Sequence, residues 1–303
     1  MKMSVLVVGS IAYDTVETPY GSVKDSLGGS ALYFSAAASF FDAVNVVGVV
    51  GSDFDASKIS FLKKRGVNFD GLYVESGDTF RWGGRYHRDL NQRDTLFTYL
   101  NVFENFQPKI PAQYREADYV FLANIDPTLQ LQVLDQIKNP KLVVLDTMNF
   151  WISGKREMLE KVIHHCDILI LNDQEARELS DEPNLIRAIK KIANEGAKPK
   201  ILIVKKGEHG AVLYQKNQFF FVPAYPLDRV IDPTGAGDSF AGGFLGYIAR
   251  EQNLQAKTLK RALVYGSAIA SFNVQDFSFN HLISLKFSEL EERFREFKKL
   301  TMF

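Results

Sequence analysis

The chain has 303 residues, 46% of them hydrophobic, enough for one large α/β core and too apolar for global disorder. Lys plus Arg and Asp plus Glu number 36 each, so the formal charge is zero and nothing global points to nucleic acid or an anionic membrane. Cys166 is the single cysteine, which excludes an internal disulfide framework and a Cys-based zinc site. The opening stretch, MKMSVLVVGSIAYD, has too short an apolar run for a signal peptide and reads as a first strand. No apolar run approaches a membrane span. A soluble, cytoplasmic protein is the expectation.

Further along, Ser30 to Phe41 (SALYFSAAASFF) is alanine-rich, uncharged and long enough for a buried helix. NVVGVVG reads as a second strand, and DASKISFLKKRG as a helix closed by Gly66. YVFLAN, KLVVLD, DILILN and KILIVK are short continuous apolar runs, the pattern of buried parallel strands. Helices are predicted between them over Leu129–Ile137, Lys155–His164 and Asn184–Glu195. This alternation predicts a mostly parallel sheet covered on both faces, with the site at the carboxyl ends of its strands.

One section breaks the rhythm. Residues 68–102 are rich in Tyr, Phe, Thr and Gly, with turns at SGD and LNQRD. Together with residues 14–23 they predict a small second sheet inserted in a single domain spanning 1–303. Arg81, Arg85, Arg88 and Arg93 fall there, either on solvated strand faces or as an anion-contacting lid. The C-terminal FSELEERFREFKKL is an amphipathic helix laced with charged pairs. His164 and His165 have no metal-ligand spacing around them, and His87 reads as a surface residue.

The sharpest signal is DPTGAGDSFAGGF. A helix start exposes free N–H groups and the positive end of a dipole. Gly235, Ala236 and Gly237 would let a phosphate approach that backbone closely. Asp238 then stands beside the phosphate. A general base taking a hydroxyl proton is one reason for a carboxylate there. A dipole-favoured helix residue after a glycine corner is the other, and spacing alone does not separate the two.

The whole run resembles the C-terminal signature of the ribokinase-like (PfkB) family of carbohydrate and nucleoside kinases. Gly28 and Gly29 before the Ala-rich helix resemble the N-terminal signature, and VGVVGSDFD the segment that follows it. LNDQEARELS resembles the N-x-x-E motif, and IVKKGEHGAVL the strand and glycine turn. The resemblance covers nearly the whole chain. It implies a three-layer α/β sandwich with a small β lid, and ATP-dependent phosphorylation of an alcohol. It gives Asp238 the role of base and Gly235, Ala236 and Gly237 that of anion hole. Asn172 and Glu175 match the motif that organises Mg²⁺ through water. Gly207 matches the glycine near the nucleotide, with Gly210 closing its turn. Asp232 and Thr234 lie where some relatives bind a monovalent cation such as K⁺. Asp14 matches the aspartate for acceptor hydroxyls, near Gly28 and Gly29. A homodimer through the lid is the expected assembly.

The departures concern the substrate. Tyr33 stands where relatives of ribokinase and adenosine kinase type carry asparagine, and one hydroxyl cannot copy an amide's paired contacts. Lys205 and Lys206 replace the usual threonine and hydrophobe, and Lys205 is a candidate for phosphate. Asp146 aligns with a D-P-N-x-R aspartate, with Asn149 displaced by one. Asn124 and Asp126 fall at another strand end facing the site. The expected acceptor is a sugar or nucleoside hydroxyl, a primary CH₂OH above others. Two rival readings stand beside it: a phosphosugar kinase using the lid arginines, and a sugar- or nucleotide-binding module without chemistry.

Overall fold

A computed structural model describes residues 5–194 and 199–302. Ser4 of the expected first strand and Glu195 of the expected third helix lie outside them. The chain opens with β1 (Val5–Val8), crosses at once to β2 (Ala12–Thr18) and β3 (Gly21–Gly28), and returns through α1 (Ser30–Ala38) to β4 (Val44–Gly51). Next come α2 (Ser60–Lys64), β5 (Val67–Glu75), β6 (Phe80–Tyr86) and β7 (Arg93–Tyr99). The alternation then sets in with β8 (Tyr119–Leu122), α3 (Pro127–Leu134), β9 (Leu142–Asp146), α4 (Asn149–Gly154) and α5 (Arg156–Ile163). It continues through β10 (Ile168–Asn172), α6 (Asp173–Ser180), α7 (Leu185–Asn194) and β11 (Ile201–Lys205). A hairpin, β12 (Ala211–Gln215) and β13 (Gln218–Val222), precedes the closing helices. These are α8 (Ala236–Glu251), α9 (Ala256–Asn273), α10 (Asn280–Ser284) and α11 (Phe287–Leu300).

Among the described residues, nine strands form one sheet in the order β13-β12-β11-β10-β9-β8-β1-β4-β5, parallel from β11 to β5. Its strands are apolar on both sides because both sides are covered. Val5, Val7, Phe121, Ile170 and Ile203 face α1, α8 and α9, while Leu6, Val8, Leu122, Leu171 and Val204 face α3, α5, α6 and α7. Every residue of α1 is buried, which is why the helix carries no charge. Strand order reverses beside β1, and the carboxyl ends of β1, β8, β9, β10 and β11 open on that reversal.

The second sheet has four strands, in the order β3-β2-β6-β7. The section expected to supply it from residue 68 is divided. Val67–Glu75 pairs in parallel with Val44–Gly51 and extends the large sheet, so the small sheet takes only Phe80–Tyr86 and Arg93–Tyr99 from that section. The reason is burial: Val67 and Gly71 of β5 pack inward on the main core, whereas most of β7 is exposed. No described helix is long and apolar enough to cross a membrane.

Candidate active site

A cleft of about 340 Å³ lies between the carboxyl ends of the large sheet and the inner face of the small one. A larger groove, about 600 Å³, sits far away between β13, α9 and α11, and its walls hold lysines and phenylalanines but no carboxylate. The carboxylates are in the smaller cleft. Asp14, Tyr33, Asn124, Asn172, Glu175, Lys205, Thr234, Gly235, Gly237 and Asp238, separated by more than two hundred residues of chain, line it together.

One end of the cleft is built at the start of α8. Gly235 caps the helix with φ of 74°, in the left-handed region. A side chain there is blocked twice, because a Cβ would also stand 2.4 Å from the ring of Tyr33. Ala236 N–H donates to Pro233 O, so of the three amides read as an anion hole that one is already engaged. Gly237 stands in the first turn, where the helix itself offers no acceptor. Lys205, at the end of β11, brings its Nζ to 2.8 Å from where a Cβ on Gly237 would stand. The same Nζ lies 3.4 Å from Asp146 Oδ1.

Charge in this corner is crowded. Burial pushes the Asp238 carboxyl up to about 7, Asp146 adds to the rise and Lys205 opposes it. Glu175 is raised to about 7 by burial, with Lys205 again opposing and Asp146 adding. Burial pulls Lys205 down, yet Asp146, Glu175 and Asp238 together hold it above an ordinary lysine, so it stays cationic. Asn172 and Glu175 form a reciprocal cap on α6, with both bonds at 2.7 Å, and line the cleft as well. The cap and the site are the same two residues.

At the other end, Asp14 lies over the glycine pair. A Cβ on Gly28 would fall 1.9 Å from Asp14 Oδ2, so only glycine allows the carboxylate this close. The Gly29 N–H donates to that carboxylate. Burial pushes Asp14 up to about 8, with the charges of Asp232 and Asp238 adding to it. Tyr33 is 2% exposed and its ring stacks on Phe279 at 4.3 Å. It is a wall between Gly29 and the α8 cap. Asn124 faces the cleft but already accepts from Trp151 Nε1 at 2.9 Å.

Other expected residues fall elsewhere. Gly207 and Gly210 flank a short turn after β11, and neither belongs to the cleft wall. Asp126 caps α3 and pairs with Lys155 at 2.6 Å. Asp232 is 1% exposed; its Oδ1 accepts from Thr234 N, and its Oδ2 has no hydrogen-bond partner. Thr234 O accepts from Asn273 Nδ2, and Thr234 Oγ1 donates to Tyr86 OH, so both Thr234 oxygens already have partners. Among the lid arginines, Arg81 is tied to Asp25 and Asp53, Arg85 to Glu17, and Arg88 is exposed. Arg93 alone of the four lines the cleft, 5.0 Å over the ring of Trp82.

Sequence reasoning missed the lid's aromatic wall of Phe80, Trp82 and Tyr86. Their alternation along β6 was the available signal, but which face met the cleft depends on the pairing of β6 with β2 and β7.

Comparison with known proteins agrees with this architecture. A model of the pfkB family of carbohydrate kinases matches residues 2–284. The chain belongs to that family, and it is a PfkB-type carbohydrate/nucleoside kinase. Its sequence is 26% identical to the cytidine kinase of Thermococcus kodakarensis over 84% of this chain and 91% of that one. The nucleoside kinase of Methanocaldococcus jannaschii superposes with a TM-score of 0.76 at 24% identity, over 97% of this chain and 99% of that one. A putative ribokinase II from E. coli in complex with ATP and Mg²⁺ superposes with a TM-score of 0.78 at 21% identity, over 97% and 99%.

Proposed function

We propose that the protein transfers the γ-phosphoryl group of ATP to a primary hydroxyl of a nucleoside or sugar, with nucleosides the leading acceptors. The observation that carries this reading is a pair of carboxylates, Asp14 and Asp238, in one cleft at a glycine-capped helix start. Asp14 holds acceptor hydroxyls. Asp238 takes the proton of the attacking hydroxyl as its oxygen bonds to the γ-phosphorus. The bond from that phosphorus to the bridging oxygen breaks, and ADP leaves. The N–H groups of Gly235 and Gly237, with the Lys205 ammonium, meet the charge on the moving group. Nucleosides are favoured because the cytidine and nucleoside kinase relatives align over most of their length, and because the aromatic rings of Trp82 and Phe80 line the cleft.

Asn172 and Glu175 fit a magnesium ion reached through water. Among the described residues no cluster of three or more His, Cys, Asp or Glu is arranged to hold a metal, which suits an ion carried by phosphates and water. When bound, magnesium supplies neutralisation of phosphate charge. The unpartnered Asp232 Oδ2 supports a monovalent cation there, with Asp232 rather than Thr234 as the side-chain ligand. Exchanging potassium for choline should then lower turnover, and equal rates would remove the cation from the account. Exposed Leu96 and Tyr99 on β7, one of the two edge strands of the small sheet, support a homodimer through the lid. Sedimentation of a monomer at micromolar concentration would contradict it. The cytoplasm, where ATP is abundant, is the proposed compartment.

Arg93 favours a second reading, in which the acceptor already carries a phosphate that the guanidinium binds. One experiment separates the two: ADP release at saturating Mg²⁺ and ATP against cytidine, adenosine, inosine, ribose, fructose and fructose phosphates. Stimulation by a nucleoside supports the first reading, and stimulation only by a phosphosugar supports the second. Binding of ATP with no stimulation by any acceptor would overturn both and leave a binding module.

A further inference from the structure

The lid and the catalytic corner meet across the cleft through side chains that no motif names. Thr234 Oγ1 donates to Tyr86 OH at 3.2 Å. Tyr86 ends β6 and is 8% exposed, although its neighbour Arg85 is open to solvent. Its cross-strand partner is Arg93, whose guanidinium also hydrogen-bonds the Tyr86 hydroxyl. A phenol accepting from both Thr234 and Arg93 keeps its own proton to donate, and Tyr86 lines the cleft.

The far side of this contact is stiff. Thr234 N donates to Asp232 Oδ1 at 2.8 Å, and Thr234 O accepts from Asn273 Nδ2 at 2.8 Å. Ser239 Oγ, one helical turn further on, donates to the same Asn273 through its Oδ1 at 3.3 Å. The next residue after Thr234 is the left-handed Gly235, pressed against the Tyr33 ring. The tip of the lid hairpin also approaches the turn after β11: Asn91 Oδ1 lies 2.7 Å from where a Cβ on Gly207 would stand.

We propose that Tyr86 is a positioning residue that fixes the Thr234–Asp238 segment when the lid is seated, so that acceptor contact at Trp82 and Arg93 is coupled to phosphoryl transfer at Gly235–Asp238. The coupling rests on the kinase reading above. Without the seated lid, Thr234 keeps its backbone bonds but loses the one side-chain tie to the acceptor side. The glycine cap then has freedom that a charge-stabilising site does not tolerate.

Two measurements on Tyr86→Phe and Thr234→Val test this. The first is hydrogen exchange of amides 234–239 in the full chain without substrates. Loss of one hydrogen bond should speed exchange there about 5- to 10-fold in Tyr86→Phe and leave the amides of α5 unchanged. Exchange equal to wild type overturns the proposal whether or not an acceptor has been found. The second is steady-state turnover with the best acceptor. Tyr86→Phe should lower kcat about 10-fold while acceptor KM moves less than 3-fold, and Tyr86→Phe/Thr234→Val should be no slower than either single variant. Additive losses, or a change confined to KM, overturn it. Failure of wild type to use any acceptor is a failure of the kinase reading instead, and the exchange result still decides the coupling.

Discussion

The two ends of the cleft are built by different means. The proposed phosphoryl end is made by residues close in sequence and by backbone: Gly235, Gly237 and Asp238 in one helix start, Asn172 and Glu175 in one capping box, Lys205 at the tip of its strand. The proposed acceptor end is made by side chains on adjacent strands of the small sheet, Asp14 on β2 beside Phe80 and Trp82 on β6, with Arg93 on β7, while Tyr86 reaches over to Thr234. The first construction tolerates almost no change, because charge and helix geometry must coincide. The second exchanges side chains on a fixed frame, which is how one fold serves different acceptors. Damage at the phosphoryl end should therefore appear in kcat, and damage at the acceptor end in KM.

The largest effect is expected at Asp238, the proposed base. Asp238→Asn should lose on the order of a hundredfold or more of kcat, measured as acceptor-dependent ADP release. Lys205→Met comes next, with a loss on the order of tenfold to a hundredfold in kcat/KM for ATP. That variant also carries a sign. Lys205 holds the Asp238 carboxyl down, so its removal should move the acid limb of the pH profile upward. An unmoved limb would place the titrating group elsewhere. On the acceptor side, Trp82→Ala should raise acceptor KM about 10-fold with kcat nearly kept, the worth of one aromatic contact. A fall in kcat with constant KM would erase the distinction between the ends.

Stability gives a further contrast. Asp14, Glu175 and Asp238 all hold their protons more tightly folded than unfolded, because burial raises them to about 8, 7 and 7. Their contribution is therefore complete below the ordinary carboxylate range and is lost as pH rises through 7 to 8. The melting temperature without substrates should fall between pH 5 and pH 9, and Asp14→Asn should flatten that fall. A melting temperature independent of pH would contradict the crowding. The smallest effect is expected for Arg81→Ala. Its pairs with Asp25 and Asp53 are partly exposed and worth about 1 kcal/mol or less. Acceptor KM should not change, because Arg81 is turned away into those pairs.

Legibility followed the same division. Val5–Val8, Tyr119–Leu122, Leu142–Asp146, Ile168–Asn172 and Ile201–Lys205 were readable because a strand covered on both faces is one continuous apolar run. The GAGD segment and Asn172 with Glu175 were readable because helix starts concentrate their chemistry in consecutive residues. Residues 68–75 read as lid because their composition matches that of the lid strands, and only the pairing of Val67–Glu75 with Val44–Gly51 separates them. Arg93 was indistinguishable from Arg81, Arg85 and Arg88 by sequence. Register decides that Arg93 lies over Trp82 while Arg81 and Arg85 meet acids. Tyr33 was legible as a departure, but its packing against Gly235 and Phe279 comes from elements two hundred residues away.

The central claim is that Asp238 removes a proton from an acceptor held at Asp14. Single-turnover phosphoryl transfer from ATP to the best acceptor, in wild type and Asp238→Asn, tests it most directly. ATP binding should be equal in the two proteins, with transfer slower in the variant by a hundredfold or more. Equal binding with near-normal transfer would contradict the account and take Asp238 out of the chemistry.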